Sequence, residues 1–350
     1  MSDLKTEIRS AFENEQGAFP PPPALRRQIV NAVSSAPERI IHREQPNLQW
    51  LAVAAAALVT VAIVAGFLAI RLAGRGFAPA RHVPPSGHGW IAFRDGSRIA
   101  AVDPDNAQRR TVLGTTEGAD PIAWSRDGSE MLLHLPHMFG GDLYVWNVNG
   151  VRTRLTYDLS ATSGSFSPDG AAVAYSDRGV LFLISAKGGS PRSLARGASS
   201  PSWSPDGSRI AFFRSDDQGI AIWVVQADGS GEHQVAFVGP CDGAFASSLC
   251  PRALQWTRDG SKLGFLAAFR GSSSASQMAV YVVGADGSGL QALPPAGEFQ
   301  SFAWSPDGKR IALTTATGEL ALMPAGGGDL RVLQGVFVYS TNGQIVWGGA

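Results

Sequence analysis

The chain is short of cysteine, of lysine and of charge. Among its 350 residues are two Cys, and Asp, Glu, Lys and Arg together make up 17%, where about a quarter is usual. The 29 basic residues, of which four are Lys, are balanced by 29 acidic ones. The balance also holds in parts, with six of each sign in residues 1–49. No basic field therefore exists to hold nucleic acid by its phosphates. The G-x-S-x-G pattern of a strand-turn-helix serine hydrolase does not occur. What is abundant instead is Gly (41) and Pro (22), residues that cost about 1 and 3 kcal/mol in a helix interior. That excludes a long helical bundle and points to turns at short, regular intervals.

One long apolar run stands near the start. Trp50–Ile70 carries no charge and only Thr60 as a polar side chain; as a helix it would span about 30 Å, the thickness of a bilayer core. A buried core helix of that length would show a polar face; a cleaved signal peptide would start nearer residue 1 with a shorter apolar stretch, although Ala78-Pro79-Ala80 resembles a cleavage site and keeps that alternative open. The expectation is a single-pass anchor at 50–70, followed by a linker at 71–88. Arg71, Arg75 and Arg81 after the span outnumber Arg39 and Arg43 before it, which taken alone favours a cytoplasmic C-terminal side. The cysteines argue the opposite. Cys241 and Cys250 form a C-x8-C pair with no Cys or His nearby to complete a tetrahedral metal site. A disulfide closing so short a loop would contribute roughly 2–3 kcal/mol and persists outside the cytosol. Together with the lack of an export signal in residues 1–49, this places the N-terminus in the cytoplasm and the rest outside.

From residue 89 onward the chain repeats itself. Five pentads, Trp124–Gly128, Phe166–Gly170, Trp203–Gly207, Trp256–Gly260 and Trp304–Gly308, read aromatic, Ser or Thr, Pro or Arg, Asp, Gly. Tyr339–Gly343 reads as a degenerate sixth copy. Each of the five is followed by an apolar run such as Arg209–Phe213, then by a second such as Ile222–Val225, a Gly-containing turn such as Asp228-Gly229, and a last short strand. One unit is thus a four-stranded antiparallel sheet, apolar on both faces, in which Pro presets φ, Asp bonds turn amides and Gly takes φ > 0. Residues 89–113 match the second to fourth strands of a unit, and Val336–Trp347 supplies a first strand and the makings of a second, so the two ends join to close a ring. About 44 residues per unit is the size of a propeller blade.

These residues carry a resemblance. The repeated [WF]-S-P-D-G followed by I-A-F resembles the TolB-type six-bladed propeller repeat, a relative of the WD repeats, over residues 89–350. It implies an all-β propeller behind the anchor and a role in binding. It implies no particular chemistry, since such propellers host binding modules, accessory domains and a few hydrolases and lyases.

Little in the sequence is shaped for catalysis. Asp127, Asp169, Asp206, Asp259 and Asp307 recur at one turn position and are read as structural. His134 and His137, with Asp142, could bind a metal, but a loop H-x2-H with one carboxylate is common by chance, and Asp103-Pro104-Asp105-Asn106 is read as a turn rather than a calcium loop. No cofactor or metal is expected. The loops that enter each first strand converge on the mouth of the central channel, and they place Asp120, Thr162, Ser200, Arg252, Gln255 and Gln300 there, a mixed polar set suited to a protein, peptide or glycan. In the tail, Leu4, Ile8 and Phe12 fall at helical spacing, as do Leu25, Ile29 and Val33 beyond Pro20–Pro23. The layout is similar to that of transmembrane anti-sigma regulators, without their zinc-binding His and Cys cluster, and implies a cytoplasmic partner for the tail. The expected function is a membrane-anchored, extracytoplasmic binding module that serves as scaffold or sensor. A channel-mouth enzyme such as a polysaccharide lyase or hydrolase is the alternative.

Overall fold

The computed structural model describes residues 88–137, 140–147, 150–239, 250–268, 277–340 and 343–348. The tail, the apolar segment 50–70, the linker up to residue 87 and Cys241 lie outside the described residues. Among those described, no helix is long and apolar enough to cross a membrane.

The repeated pattern folds as its periodicity demands. The first strands are β1 (Trp90–Asp95), β2 (Arg98–Val102) and β3 (Arg110–Thr115). A second blade follows as β4 (Asp120–Trp124), β5 (Glu130–His137), β6 (Gly140–Asn147) and β7 (Arg152–Arg154). The third contains β8 (Ala161–Phe166), β9 (Ala172–Asp177), β10 (Val180–Ser185) and β11 (Arg192–Arg196). The fourth comprises β12 (Ala198–Trp203), β13 (Arg209–Asp216), β14 (Gly219–Gln226) and β15 (His233–Gly239). The fifth runs β16 (Arg252–Trp256), β17 (Lys262–Ala268), β18 (Met278–Gly284) and β19 (Gln291–Gly297). The sixth holds β20 (Phe299–Trp304), β21 (Arg310–Thr315), β22 (Glu319–Pro324) and β23 (Arg331–Phe337). Last comes β24 (Ile345–Gly348), which pairs antiparallel with β1, Ile91 opposite Trp347, so that the first blade reads β24-β1-β2-β3.

The six sheets pack around a ring, and the core is divided accordingly. Six apolar clusters are found among the described residues, each shared by two neighbouring blades. Phe213 of the fourth blade, for example, meets Phe265 of the fifth edge to face, 5.8 Å between centroids. Because each blade is covered on both faces, middle strands carry runs of consecutive buried residues rather than alternating, as in β17 with five in a row.

The pentad builds a turn whose bonds are almost all internal. In Trp203–Gly207 the Ser204 hydroxyl donates to Asp206 Oδ1 (2.6 Å), which also accepts from the Ser208 amide (3.0 Å), while Ser204 Oγ accepts from the Arg209 amide (2.9 Å). Gly207, at φ +75°, donates its amide to the Ser204 carbonyl. Asp127, Asp169, Asp259 and Asp307 sit in the same arrangement, with Thr257 replacing the serine beside Asp259. Hydrogen bonds from Ser204 and from Thr257, joined by turn amides, hold the Asp206 and Asp259 carboxyls down at about 2. A carboxyl lowered on folding stabilises the fold above its unfolded value of about 4 and yields that contribution as pH falls toward the folded value. An Asp206→Asn, Asp259→Asn double variant should therefore show a flatter dependence of urea midpoint on pH between about 4 and about 2. An unchanged slope would show that these carboxyls do not couple to folding.

The sixth copy is placed differently from expectation. Gly343 donates its amide to the Ser340 carbonyl (3.2 Å), the bond made by the other five. Yet Tyr339–Gly343 precedes the inner strand β24 instead of following it, and Val336–Trp347 contributes the end of an outer strand plus one inner strand. The true equivalent of the motif aromatic is Trp347, whose indole donates to the His88 carbonyl (2.9 Å) across the junction of the two chain ends.

Candidate functional site

The innermost strands of all six blades enclose a channel of about 940 Å³. Near its mouth the inner strands are irregular. β4, β8, β12, β16 and β20 each shift register against their partner, and the interrupted stretches contain Ile122, Thr162, Ser200, Ala253 and Gln300, all bordering the channel. Bulges of this kind turn a strand and re-aim its side chains. Ser200 and Ala253, on adjacent blades, lie at φ +50° and +57°, a conformation that costs a residue with a side chain roughly 1–3 kcal/mol and recurs at functional sites.

Five of the six residues expected at the mouth border this cavity: Thr162, Ser200, Arg252, Gln255 and Gln300. Thr162 and Ser163 both bond the Ser176 hydroxyl (2.8 and 2.9 Å), and Ser163 Oγ accepts from the Ser200 amide (3.2 Å). Arg252 donates from Nη2 to the Phe299 carbonyl (3.1 Å), and burial pushes its guanidinium down from the usual value. Gln300 lies against Gly343, where a Cβ would collide with its amide oxygen. Asp120 departs from the expected role. It is buried, it does not border the cavity, and its Oδ1 accepts from Arg94 Nε at 2.6 Å, tying the second blade to the first. Burial pushes the Asp120 carboxyl up, and Arg94 pulls it the other way.

Deeper in lies a layer of which the entry loops had indicated only Gln255. The residue before the motif aromatic is Ala123, Ser165, Ser202, Gln255, Ala303 and Val346 in blades two to six and one, and all six border the channel. Three consecutive blades contribute polar groups, and these stitch the ring together. Ser165 Oγ accepts from the Trp203 amide (3.2 Å), Ser202 Oγ from the Trp256 amide (3.3 Å) and Gln255 Oε1 from the Trp304 amide (3.3 Å). The other three blades present Ala303, Val346 and Ala123. The signal was available in the sequence as the position preceding each aromatic, but only the ring shows that the polar and apolar members fall into two arcs.

The remaining candidates are occupied. His134 Nε2 lies 3.1 Å from the Ala161 carbonyl, and Asp142 accepts from Arg154 (2.6 Å) and Thr156 (3.3 Å). Asp103 accepts from the Asp105 amide and from Arg109, the pattern of a turn. No group of three His, Cys, Asp or Glu side chains among the described residues could hold a metal ion. Cys250, buried at the edge of the channel, is disulfide-bonded, and the one other cysteine in the chain is Cys241. Of the indoles bordering the channel, Trp347 carries the Arg310 guanidinium on its ring (5.3 Å), and Trp304 meets Phe302 edge to face (6.2 Å).

Six four-stranded blades around a polar-mouthed channel define a six-bladed β-propeller, and its architecture is TolB-like. The chain matches the crystal structure of TolB from Acinetobacter baumannii with a TM-score of 0.60 at 17% identity, over 74% of this chain and 66% of that one. It matches a putative TolB from Agrobacterium tumefaciens at 0.54 and 21% identity, over 72% and 91% of the respective chains. A chain of the nidogen/laminin complex superposes at 0.55 with 12% identity, over 73% and 97%. In sequence, an uncharacterized protein of Agrobacterium fabrum is 25% identical over 65% of this chain and 80% of its own length. No protein-family model matches the chain.

Proposed function

We propose that this chain is a membrane-anchored, extracytoplasmic binding module whose channel takes a segment of protein or peptide. The supporting observation is the channel itself, with a mouth ringed by Thr162, Ser200, Arg252 and Gln300 and with backbone strain at Ser200 and Ala253. The mouth offers hydrogen-bonding side chains, and the Trp347 ring is already engaged by Arg310, a lining suited to the amides and carbonyls of a peptide. One chain of the nidogen/laminin complex, a complex between proteins, shares the fold. The anchor is residues 50–70, with residues 1–49 in the cytoplasm available to a partner there in the manner of an anti-sigma regulator. The module binds and does not catalyse.

The full chain in detergent, panned with phage-displayed peptides, should yield binders that lose about tenfold or more in affinity to an Arg252→Ala, Gln300→Ala variant. Binders indifferent to that variant would remove the channel mouth as the site. Protease added to intact cells should digest the propeller and spare residues 1–49, and the reverse pattern would overturn the orientation.

A further inference from the structure

We infer that the channel selects an extended polypeptide segment in which apolar and polar side chains alternate. This rests on the channel being the ligand site and goes beyond it by naming the pattern read there.

The chemistry of the layer one residue before each motif aromatic is unevenly distributed around the ring. Inner strands follow one another around the ring in the order β24, β4, β8, β12, β16, β20, so blades three apart stand opposite. Val346 of the first blade therefore faces Ser202 of the fourth, Ala123 of the second faces Gln255 of the fifth, and Ser165 of the third faces Ala303 of the sixth. Within this layer one half of the wall is hydroxyl and amide, and the other half is aliphatic. Ile122 and Ile345 adjoin the aliphatic members and Thr162 and Ser200 the polar ones, while the lining outside the layer is mixed, with Gln300 and Gln344 on the aliphatic side and Ala253 and Leu254 on the polar side.

A ligand matched to such a wall must be two-faced along its length. In an extended chain successive side chains point to opposite sides, so strict alternation sends one row to each arc. The inner strands are five or six residues long apart from β24, about 17–20 Å, and an extended segment of similar length spans the channel. The polar arc can still serve a ligand. The Ser202 hydroxyl, which accepts one amide, keeps a donor and a second acceptor site; Ser165, which also donates to the Phe166 carbonyl (3.4 Å), keeps an acceptor site; and the Gln255 amide nitrogen, which gives one hydrogen to the Phe302 carbonyl (2.9 Å), keeps another. On the aliphatic arc a polar side chain would lose water without replacement, and that penalty is what discriminates.

The test uses the full chain in detergent and two fluorescein-labelled peptides of one composition. In the first, valine and threonine alternate; in the second, all valines precede all threonines. The alternating peptide should bind about tenfold more tightly. That preference should fall several-fold in an Ala123→Ser, Val346→Thr variant, which makes two of the three members of the aliphatic arc polar. Ala123→Ser copies the residue that Ser165 and Ser202 already supply at this position, so the variant has a precedent in its own fold. Equal affinity of the two peptides for wild type overturns the inference and leaves peptide binding standing. Failure of both to bind overturns the channel as a peptide site as well. A folded variant that keeps the preference overturns the role of the aliphatic arc.

Discussion

A chain ending at Gln344 is expected to lose cooperative thermal unfolding altogether. β24 is only four residues long, but it is the innermost strand of the first blade, and no covalent link joins it to β1. Its removal deletes Ile345, Val346 and Trp347, all buried, and uncovers Ile91 and Phe93, which are no more than 2% exposed. Each side chain of this size contributes roughly 1.5–3 kcal/mol on burial. The deleted and uncovered residues together approach the whole stability of a typical domain, about 5–15 kcal/mol. The loss also spreads beyond one blade. Trp347 belongs to the apolar cluster shared with the sixth blade, Val346 to the one shared with the second, and Arg310 of the sixth blade stacks on Trp347. An open ring thus has two raw faces. The graded version is Trp347→Ala, which should cost about 3–5 kcal/mol and lower the melting temperature followed by circular dichroism. A truncated chain that melts with the wild-type midpoint and amplitude would show that ring closure does not depend on β24.

Replacing Asp120 alone by alanine should cost about 3 kcal/mol in urea unfolding, while replacing Arg94 by methionine and Asp120 by leucine together should restore stability to within about 1 kcal/mol. Deleting one member of a buried pair strands the other charge away from water, whereas deleting both removes the desolvation cost along with the attraction. The lower end of the usual range is appropriate because the Arg94 side chain keeps 16% of its exposure. The direction of the Asp120 shift supports this. Burial outweighs Arg94 and raises the carboxyl above its usual value. An acid raised on folding withdraws stability as pH climbs past about 4 and through its folded value. The pair therefore serves to hold the first and second blades in register and contributes little net stability. A silent single variant, or a double variant as unstable as the single, would contradict this account.

The two cases show where sequence reasoning succeeds and where it stops. The pentad turns are legible because their bonds run between residues no more than five apart, such as Ser204 with Asp206 and Arg209. The closing of the ring is legible because the two ends of the region lack complementary strands. Asp120 is not legible. Its position in an entry loop suggests ligand binding, but its partner Arg94 lies 26 residues away on another blade. The Tyr339–Gly343 copy misleads for the same reason. A local turn looks alike whether it leaves an inner strand or leads into one, and only strand order tells them apart.

By itself, then, the sequence determined six units, the turns that end their inner strands, and an excess of Gly that those turns consume, because all of these follow from local φ preferences and short-range hydrogen bonds. Tertiary structure alone decided that Asp120 is spent holding blades together rather than bordering the channel, and how Ala123, Ser165, Ser202, Gln255, Ala303 and Val346 divide into two arcs. Those residues are tens of positions apart and share no local interaction. Their arrangement exists only once the blades have stacked in a closed circle.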